Sequence, residues 1–430
     1  MRPHVVVTLS PAAAKQRLPY WGAIKTDKSG SERDLTPAVG EALRRTGVEV
    51  WTAHEYPMRG ESWSPEEVRS GLDRMYRLIL RNRENVPQDL IDAIRLSADV
   101  VEVRPGQIGT AVLPAARQLG RTAAGDDAPR QQIYLPQVRR LSRGSPDIRI
   151  AVLDTGVDLA HPALAANLQH GSDFVDIIDG QAEFIGDFIG ADDSAEDEVG
   201  HGTHVAGIIG ARNGLGPEGV APACRIIPVR VLAAMKRGAE LVGAGLVENI
   251  NAGVKWAVDQ GAHVINMSLG VRQSGGGLPH REVVAYAAER GVCIVAAAGN
   301  DGHEALYYPG ALPEVIAVGS VGLDGQVSEF STFGPQVALV APGEDIYSTY
   351  LGRGYASATG TSHSSPFVAG AAALLQSLAI ERGGRFRPAD IRKILTSTAD
   401  RLDQRIRDRR AGSGRLNLID AFRLARAMTS

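Results

Sequence analysis

A chain of 430 residues is longer than one compact core usually supports, so a large unit with a smaller companion is expected. With 46 Lys+Arg against 49 Asp+Glu the net charge is −3, and no stretch interleaves basic with aromatic residues, which excludes a nucleic-acid surface. Residues 1–20 hold only the short apolar run Val5, Val6 and Val7, and the two cysteines, Cys224 and Cys293, lie in apolar strand-like runs, so neither a membrane partner nor a disulfide framework is expected and a cytoplasmic setting is.

In chain order, HVVVTLS from His4 reads as a strand. Ser64-Pro65-Glu66-Glu67 has the form of a helix start, and Val68, Leu72, Met75 and Ile79 at helical spacing predict that the helix continues past it. After Pro87 a second helix carries Leu90, Ile91 and Ile94 on one face; Val100, Val101 and Val103 then predict a strand that stops at Pro105 and Gly106. Together these give a small α+β domain over residues 1–114. The polar stretch 115–132, containing GRTAAGDDAPRQQ, reads as a linker to a larger domain over 133–430.

Beyond Asp147 the pattern changes to short apolar runs, IRIAVLD, RIIPVRV, HVINMSLG, VCIVAAAGN and VIAVGSV, each expected as a buried parallel strand. Between them Val247, Ile250, Val254, Ala257 and Val258 keep helical spacing, and a helix over Arg281–Glu289 is stopped by Gly291. Strand alternating with helix predicts a doubly wound, mostly parallel sheet with helices on both faces, whose ligands gather at the carboxyl ends of its strands.

Several chemically suggestive residues fall at those ends. Asp154 closes IRIAVLD before Thr155-Gly156, a place suited to an acid that orients another group. His201 opens HGTHVAGIIG between Gly200 and Gly202, at the head of a helix. Ser362 stands in Gly360-Thr361-Ser362 just before the apolar helix that includes Pro366, where amide hydrogens could meet a developing anion. A serine hydroxyl needs a base to take its proton and a third group to fix the base's tautomer. Asn300, closing AAAGN, could supply a side-chain donor to the oxyanion of a tetrahedral intermediate.

These four blocks, DTG at Asp154, HGTHVAG at His201, AAAGN at Asn300 and GTSHSSP at Ser362, resemble in content and order the signature blocks of the subtilisin-like serine proteases, the subtilase family, over roughly residues 134–425. The resemblance implies the subtilisin α/β fold and hydrolysis of peptide bonds in protein or peptide substrates, with Asp154, His201 and Ser362 as the triad, Asn300 at the oxyanion, and His204 structural. By the same matching Ser268, Leu269 and Gly270 resemble the edge that pairs with substrate backbone, and Ala298 and Gly299 a wall of the primary specificity pocket. Substrate would then add as a strand. No cofactor is required.

The chain also departs from the family pattern. His363 follows the nucleophile where the family has Met, which predicts a more polar leaving-group side. Ala163 stands where calcium-binding members place an aspartate, and the loop 212–219 is short, so the usual calcium site is not expected. Residues 174–198 form a longer loop in which Asp187, Asp192, Asp193, Glu196, Asp197 and Glu198 make calcium a candidate ligand. The segment 300–309 is shortened, bringing Tyr307 or Tyr308 to the bottom of the specificity pocket, where a bulky floor favours small first-position side chains. An insertion at 233–245, with Lys236 and Arg237, lies near more distant substrate residues. Residues 88–106 resemble the end of an inhibitory propeptide, so the N-terminal domain is a candidate intramolecular inhibitor, removed by a cut between 108 and 132 or retained as a regulatory domain.

Other fold and function classes fit worse. An α/β-hydrolase would need Gly-x-Ser-x-Gly with the order Ser, Asp, His, and a dinucleotide-binding protein would need Gly-x-Gly-x-x-Gly after its first strand; neither is present. The alternative within the family is a non-catalytic peptide-binding relative, which the presence of all four groups disfavours.

Overall fold

A computed structural model describes residues 3–13, 17–25, 27–112, 117–118, 127–175, 194–212, 216–237, 240–272, 278–403 and 409–429. The N-terminal part runs β1 (His4–Leu9), α1 (Pro37–Thr46), β2 (Val50–His54), α2 (Pro65–Arg69), β3 (Met75–Leu80), α3 (Gln88–Arg95) and β4 (Val100–Pro105). Its strands form one antiparallel sheet in the order β2-β3-β1-β4. Val5, Val7, Tyr76, Leu78 and Leu80 on one face of that sheet share a core with Val39 and Leu43 of α1 and Leu90, Ile91 and Ile94 of α3.

The expected long helix after Ser64 does not form. Ser64 and Glu67 do make a reciprocal capping box, but α2 ends at Arg69, and Gly71 takes up the left-handed conformation at φ 81°. Met75 and Ile79 belong instead to β3. Both faces of β3 are covered, one by α1 and α3 and the other by the rest of the molecule, so all six of its residues are buried and the period-two signal of a strand is absent.

β5 (Ile108–Val112) and β6 (Arg117–Gln118) lie outside this sheet. Part of the stretch read as a linker is helical: α4 (Ala128–Gln132) is followed by α5 (Leu135–Arg139), and the fully buried Arg130 donates to the carbonyls of Glu218 (3.1 Å) and Tyr347 (3.3 Å). The C-terminal part continues through β7 (Arg149–Asp154), β8 (Ser172–Asp173), α6 (His201–Gly210), β9 (Arg225–Arg230), β10 (Ala233–Arg237), β11 (Glu240–Leu246), α7 (Val247–Asp259), β12 (Val264–Met267) and β13 (Val271–Arg272). After these come α8 (Arg281–Glu289), β14 (Cys293–Ala297), β15 (Tyr307–Tyr308), β16 (Ile316–Val321), β17 (Val337–Pro342), β18 (Ile346–Tyr350), β19 (Gly354–Ala358), α9 (Thr361–Glu381), α10 (Pro388–Ser397) and α11 (Leu418–Met428).

Seven strands form one sheet, β17-β16-β14-β12-β7-β9-β8, in which every neighbouring pair is parallel. All five apolar runs picked out in the sequence lie in it. Alternate residues face opposite sides: Ile150, Val152 and Val295 join the core shared with α6 and α9, whereas Ala151, Leu153 and Ile294 join the core shared with α7 and α8. The sheet is therefore doubly wound, as expected. Among the described residues no helix is long and apolar enough to cross a membrane.

The N-terminal sheet docks on α7 and α8. Val6, Tyr56, Leu72 and Met75 complete the apolar core on that side. Arg104 of β4, only 4% exposed, reaches Glu248 of α7 and Glu282 of α8, each at 3.4 Å, and Lys255 of α7 is held 2.7 Å from Glu67. Two further pairings join the parts: β5 runs antiparallel to β11, with Gly109 opposite Gly245 and Ala111 opposite Gly243, and β6 pairs with β19.

Candidate active site

Asp154 and His201 meet above the carboxyl end of β7. Both are buried, and His201 Nδ1 lies 2.5 Å from Asp154 Oδ1, which also accepts from the Thr155 amide at 2.8 Å. The approach is so close because the turn lacks side chains: a Cβ on Gly202 would stand 2.1 Å from the Gly156 carbonyl oxygen and 3.1 Å from Asp154 Cβ. Burial of the imidazole works against its charged form, but the Asp154 carboxylate outweighs this by charge and hydrogen bond, raising the His201 pKa above the usual histidine value. The other nitrogen, Nε2, has no hydrogen-bond partner among the described residues.

Asp197 fixes the head of α6, a role not legible in the sequence. Its Oδ1 accepts from the amides of Val199 (2.9 Å) and Gly200 (2.8 Å) and from Thr155 Oγ1 (2.9 Å), and its Oδ2 from Thr203 N (2.9 Å) and Oγ1 (2.6 Å). A carboxylate at a helix N-terminus satisfies otherwise unpaired donors. Asp197 is thus committed to internal bonds rather than free to hold calcium, and Glu196 accepts from the Leu159 amide at 3.3 Å. Asp187, Asp192 and Asp193 lie outside the described residues. Among the described residues no group of three or more His, Cys, Asp or Glu side chains could hold a metal. Ala163 is buried in the apolar core beside His161, whose Nδ1 accepts from the Ala163 amide at 3.1 Å.

Ser362 lies in the first turn of α9, which packs against α6. Its Oγ donates to the Ser268 carbonyl at 3.2 Å rather than to His201. The segment after β12 is braced to the same turn, since Ser268 Oγ donates to the Ser362 carbonyl at 2.8 Å and lies 3.0 Å from Ser365 Oγ. Leu269 and Gly270 continue that segment into β13. After β14, Ala298 is anchored by its amide to the Val318 carbonyl at 2.9 Å, and Gly299 leads to Asn300. Both Thr361 N and Thr361 Oγ1 lie 2.9 Å from Asn300 Oδ1, so the amide oxygen is engaged and Nδ2 is the end left to donate.

His363 corrects one expectation. Its ring is fully buried, 5.6 Å from the His201 ring and 4.5 Å from the His204 ring, and neither of its nitrogens has a partner among the described residues. The polarity it adds is internal, behind the serine, and not on an exposed leaving-group surface. His204 is a structural residue, its Nε2 lying 2.9 Å from the Ile346 carbonyl and 3.1 Å from that of Ala356. Cys224 and Cys293 are free and buried, and burial pushes their thiols up to about 11 and about 12.

A sequence model of the subtilase family matches residues 145–414 and leaves the residues before 145 outside the match. Thermitase of Thermoactinomyces vulgaris is 40% identical over 274 residues, 63% of this chain and 88% of the relative. The major intracellular serine protease of Bacillus subtilis is 42% identical over 238 residues, 54% and 69% of the two chains, and subtilisin BL of Lederbergia lenta is 37% identical over 272 residues, 63% and 90%. The parallel sheet, the buried Asp154–His201 pair beside Ser362, and a match over more than half its length place this chain in the subtilase family of serine proteases.

Proposed function

We propose that this subtilisin-like endopeptidase cleaves peptide bonds through an acyl-enzyme on Ser362. The reading is carried by the Asp154–His201 pair, whose Nε2 has no partner among the described residues and whose ring lies 5.6 Å from that of His363, the neighbour of Ser362 in the first turn of α9. A rotation of the Ser362 side chain away from the Ser268 carbonyl would let His201 take its proton as Oγ attacks the scissile carbonyl; free enzymes often hold such contacts loosely. His201 then delivers that proton to the leaving amine, with Asp154 steadying the imidazolium. Asn300 Nδ2 and the Ser362 amide hold the oxyanion, and water repeats the attack on the acyl-enzyme. The chain's own side chains and backbone, with water, fill each of these roles, so no cofactor is assigned. A fluorophosphonate should label the wild type at Ser362 and fail to label Ser362→Ala or His201→Ala; an unlabelled wild type points to a non-catalytic peptide-binding relative.

We further infer that residues 1–114 act as an intramolecular inhibitor. Substrate is expected to add as a strand beside Ser268, Leu269 and Gly270, and β5 supports this reading by lying antiparallel to β11 and approaching β13, which follows Gly270. The pairing of β6 with β19 continues the chain beyond it, with residues 113–116 outside the described set. Intact masses of wild type and Ser362→Ala test it: self-processing yields a shortened wild type cut between 108 and 132 and an uncut variant, while an uncut, fully active wild type excludes obligatory removal. A cytoplasmic setting is supported by the two free thiols and by a relative named as intracellular, and fractionation of cells tests it.

A further inference from the structure

Two glycine-bearing segments flank the nucleophile. Ser268-Leu269-Gly270 is bonded to the Ser362 turn through Ser268, and Ala298-Gly299-Asn300 is bonded to Thr361 through Gly299 and Asn300. By the resemblance to the family, these two segments would wall the recess that receives the side chain preceding the scissile bond. One residue bounds it on both sides. A Cβ on Gly299 would meet Tyr307 Cδ2 at 2.7 Å and Cε2 at 2.9 Å, and a Cβ on Gly270 would meet Tyr307 Cβ and Cδ1 at 3.2 Å each. The phenol ring therefore reaches from one glycine wall to the other. Tyr308, the alternative left open by the sequence, points instead into the apolar core beneath α7 and α8.

We infer that Tyr307 is the specificity-determining floor of this recess and restricts the residue before the scissile bond to small side chains such as alanine, glycine or serine. The proposal rests on the peptidase reading above and deepens it. The floor is fixed by several contacts. β15 pairs with β13 so that Tyr307 stands directly opposite Arg272. The phenol donates to Asp301 Oδ2 at 2.9 Å and accepts from Arg272 Nε at 3.1 Å. Arg272 is also ion-paired with Asp301, and its guanidinium lies 5.3 Å from the ring centroid, in cation–π range. Swinging the ring aside to admit a larger side chain would break these bonds together. A hydrophobic site discriminates by about 10–200-fold per methylene that fits or fails to fit, so a whole ring across the recess suffices for a strong preference.

The test is kcat/KM for peptides identical except for Ala, Leu or Phe before the cleaved bond. The wild type should prefer Ala over Phe by about 100-fold or more. Tyr307→Gly should lower that ratio at least about tenfold by gaining activity on Phe. Tyr307→Phe, which keeps the ring and loses the phenol bonds, should stay on the wild-type side, and Arg272→Ala should fall between the two. Equal wild-type cleavage of Ala and Phe peptides overturns the proposal without recourse to any variant. An unchanged ratio in an active Tyr307→Gly enzyme overturns it too, while fluorophosphonate labelling of Ser362 leaves the peptidase reading standing in both cases. A wild type that neither is labelled nor cleaves any peptide removes both.

Discussion

On the proposed mechanism Ser362 attacks only while His201 is neutral, and the same Asp154 contact that orients the ring also makes its proton harder to lose. The His201 pKa is raised, so the catalytically competent form accumulates only as pH climbs past a value above that of an ordinary histidine. The acid limb of kcat/KM against pH should accordingly fall with acidification from above about 6.5, and Asp154→Asn should move its midpoint downward while cutting the rate by about 10⁴, the loss known for this substitution in a serine protease of another fold. A limb that stays put in Asp154→Asn would mean that another group controls it. For Asn300→Ala the expected loss in kcat is about 10²–10³, a magnitude known from a subtilisin. His363 invites a different test. Two buried nitrogens without partners among the described residues cost on the order of 1–3 kcal/mol each, so His363→Met, similar in bulk and without those nitrogens, should raise the melting temperature in a Ser362→Ala background; a lower one would show that the imidazole is satisfied in some other way. The candidate blocks around Asp154, His201, Asn300 and Ser362 stand out in the sequence because of the glycines beside them, which the structure explains at Gly202, where a Cβ would stand 2.1 Å from the Gly156 carbonyl oxygen. His363 and Asp197 were not, since burial and bond partners leave no trace in local sequence.

At the level of elements, the strands of the parallel sheet were readable because burial on both faces makes each a continuous apolar run. The same physics misled at β3. Its residues are also buried on both faces, and a strong helix start at Ser64 lies just before it, so spacing that looked helical belonged to a strand. The pairing of β5 with β11 had no sequence signal at all, because register between distant segments is set by docking of the N-terminal sheet. That docking is held by Arg104 between Glu248 and Glu282. Burial alone would favour the neutral acid at Glu248, but the hydrogen bond from His4 and the charge of Arg104 outweigh it and bring the carboxyl down to about 2. Removing the cation leaves the buried Glu248 carboxylate with His4 but without its guanidinium partner, a loss of about 2–5 kcal/mol at an interface. In the full-length Ser362→Ala chain, which cannot cut itself, adding Arg104→Ala should speed hydrogen exchange of the β5 amides. Unchanged protection would show that β5 is held by strand pairing without help from this contact.

Across the whole molecule, the interior holds several histidines kept neutral by burial. His204 and His280 are brought down to about 3 and His263 to about 4, in each case chiefly by desolvation, with nearby cations adding to the effect: His201 beside His204, Arg104 beside His280, and Arg385 and Arg149 beside His263. His363 falls well below the ordinary value for the same reason, with His204 and His201 adding to it. In the unfolded chain each would titrate near 6.5. A depressed folded-state pKa means that the unfolded state binds the extra proton first, so the stability these groups contribute is complete above about 6.5 and drains away as pH falls toward 4 and 3. Each proton costs roughly 1 kcal/mol of stability per pH unit within that window, and the four groups act together. Urea denaturation of Ser362→Ala, which removes self-digestion as a cause of loss, should therefore show a midpoint that declines steeply below about 6. Replacing His263, the most accessible of the four, with Gln should make that decline shallower, because one of the protons taken up on unfolding is gone. A midpoint that holds steady from pH 7 to 4 would mean that these imidazoles are already charged in the folded protein, and that the buried cluster beside Ser362 is balanced by partners other than those described.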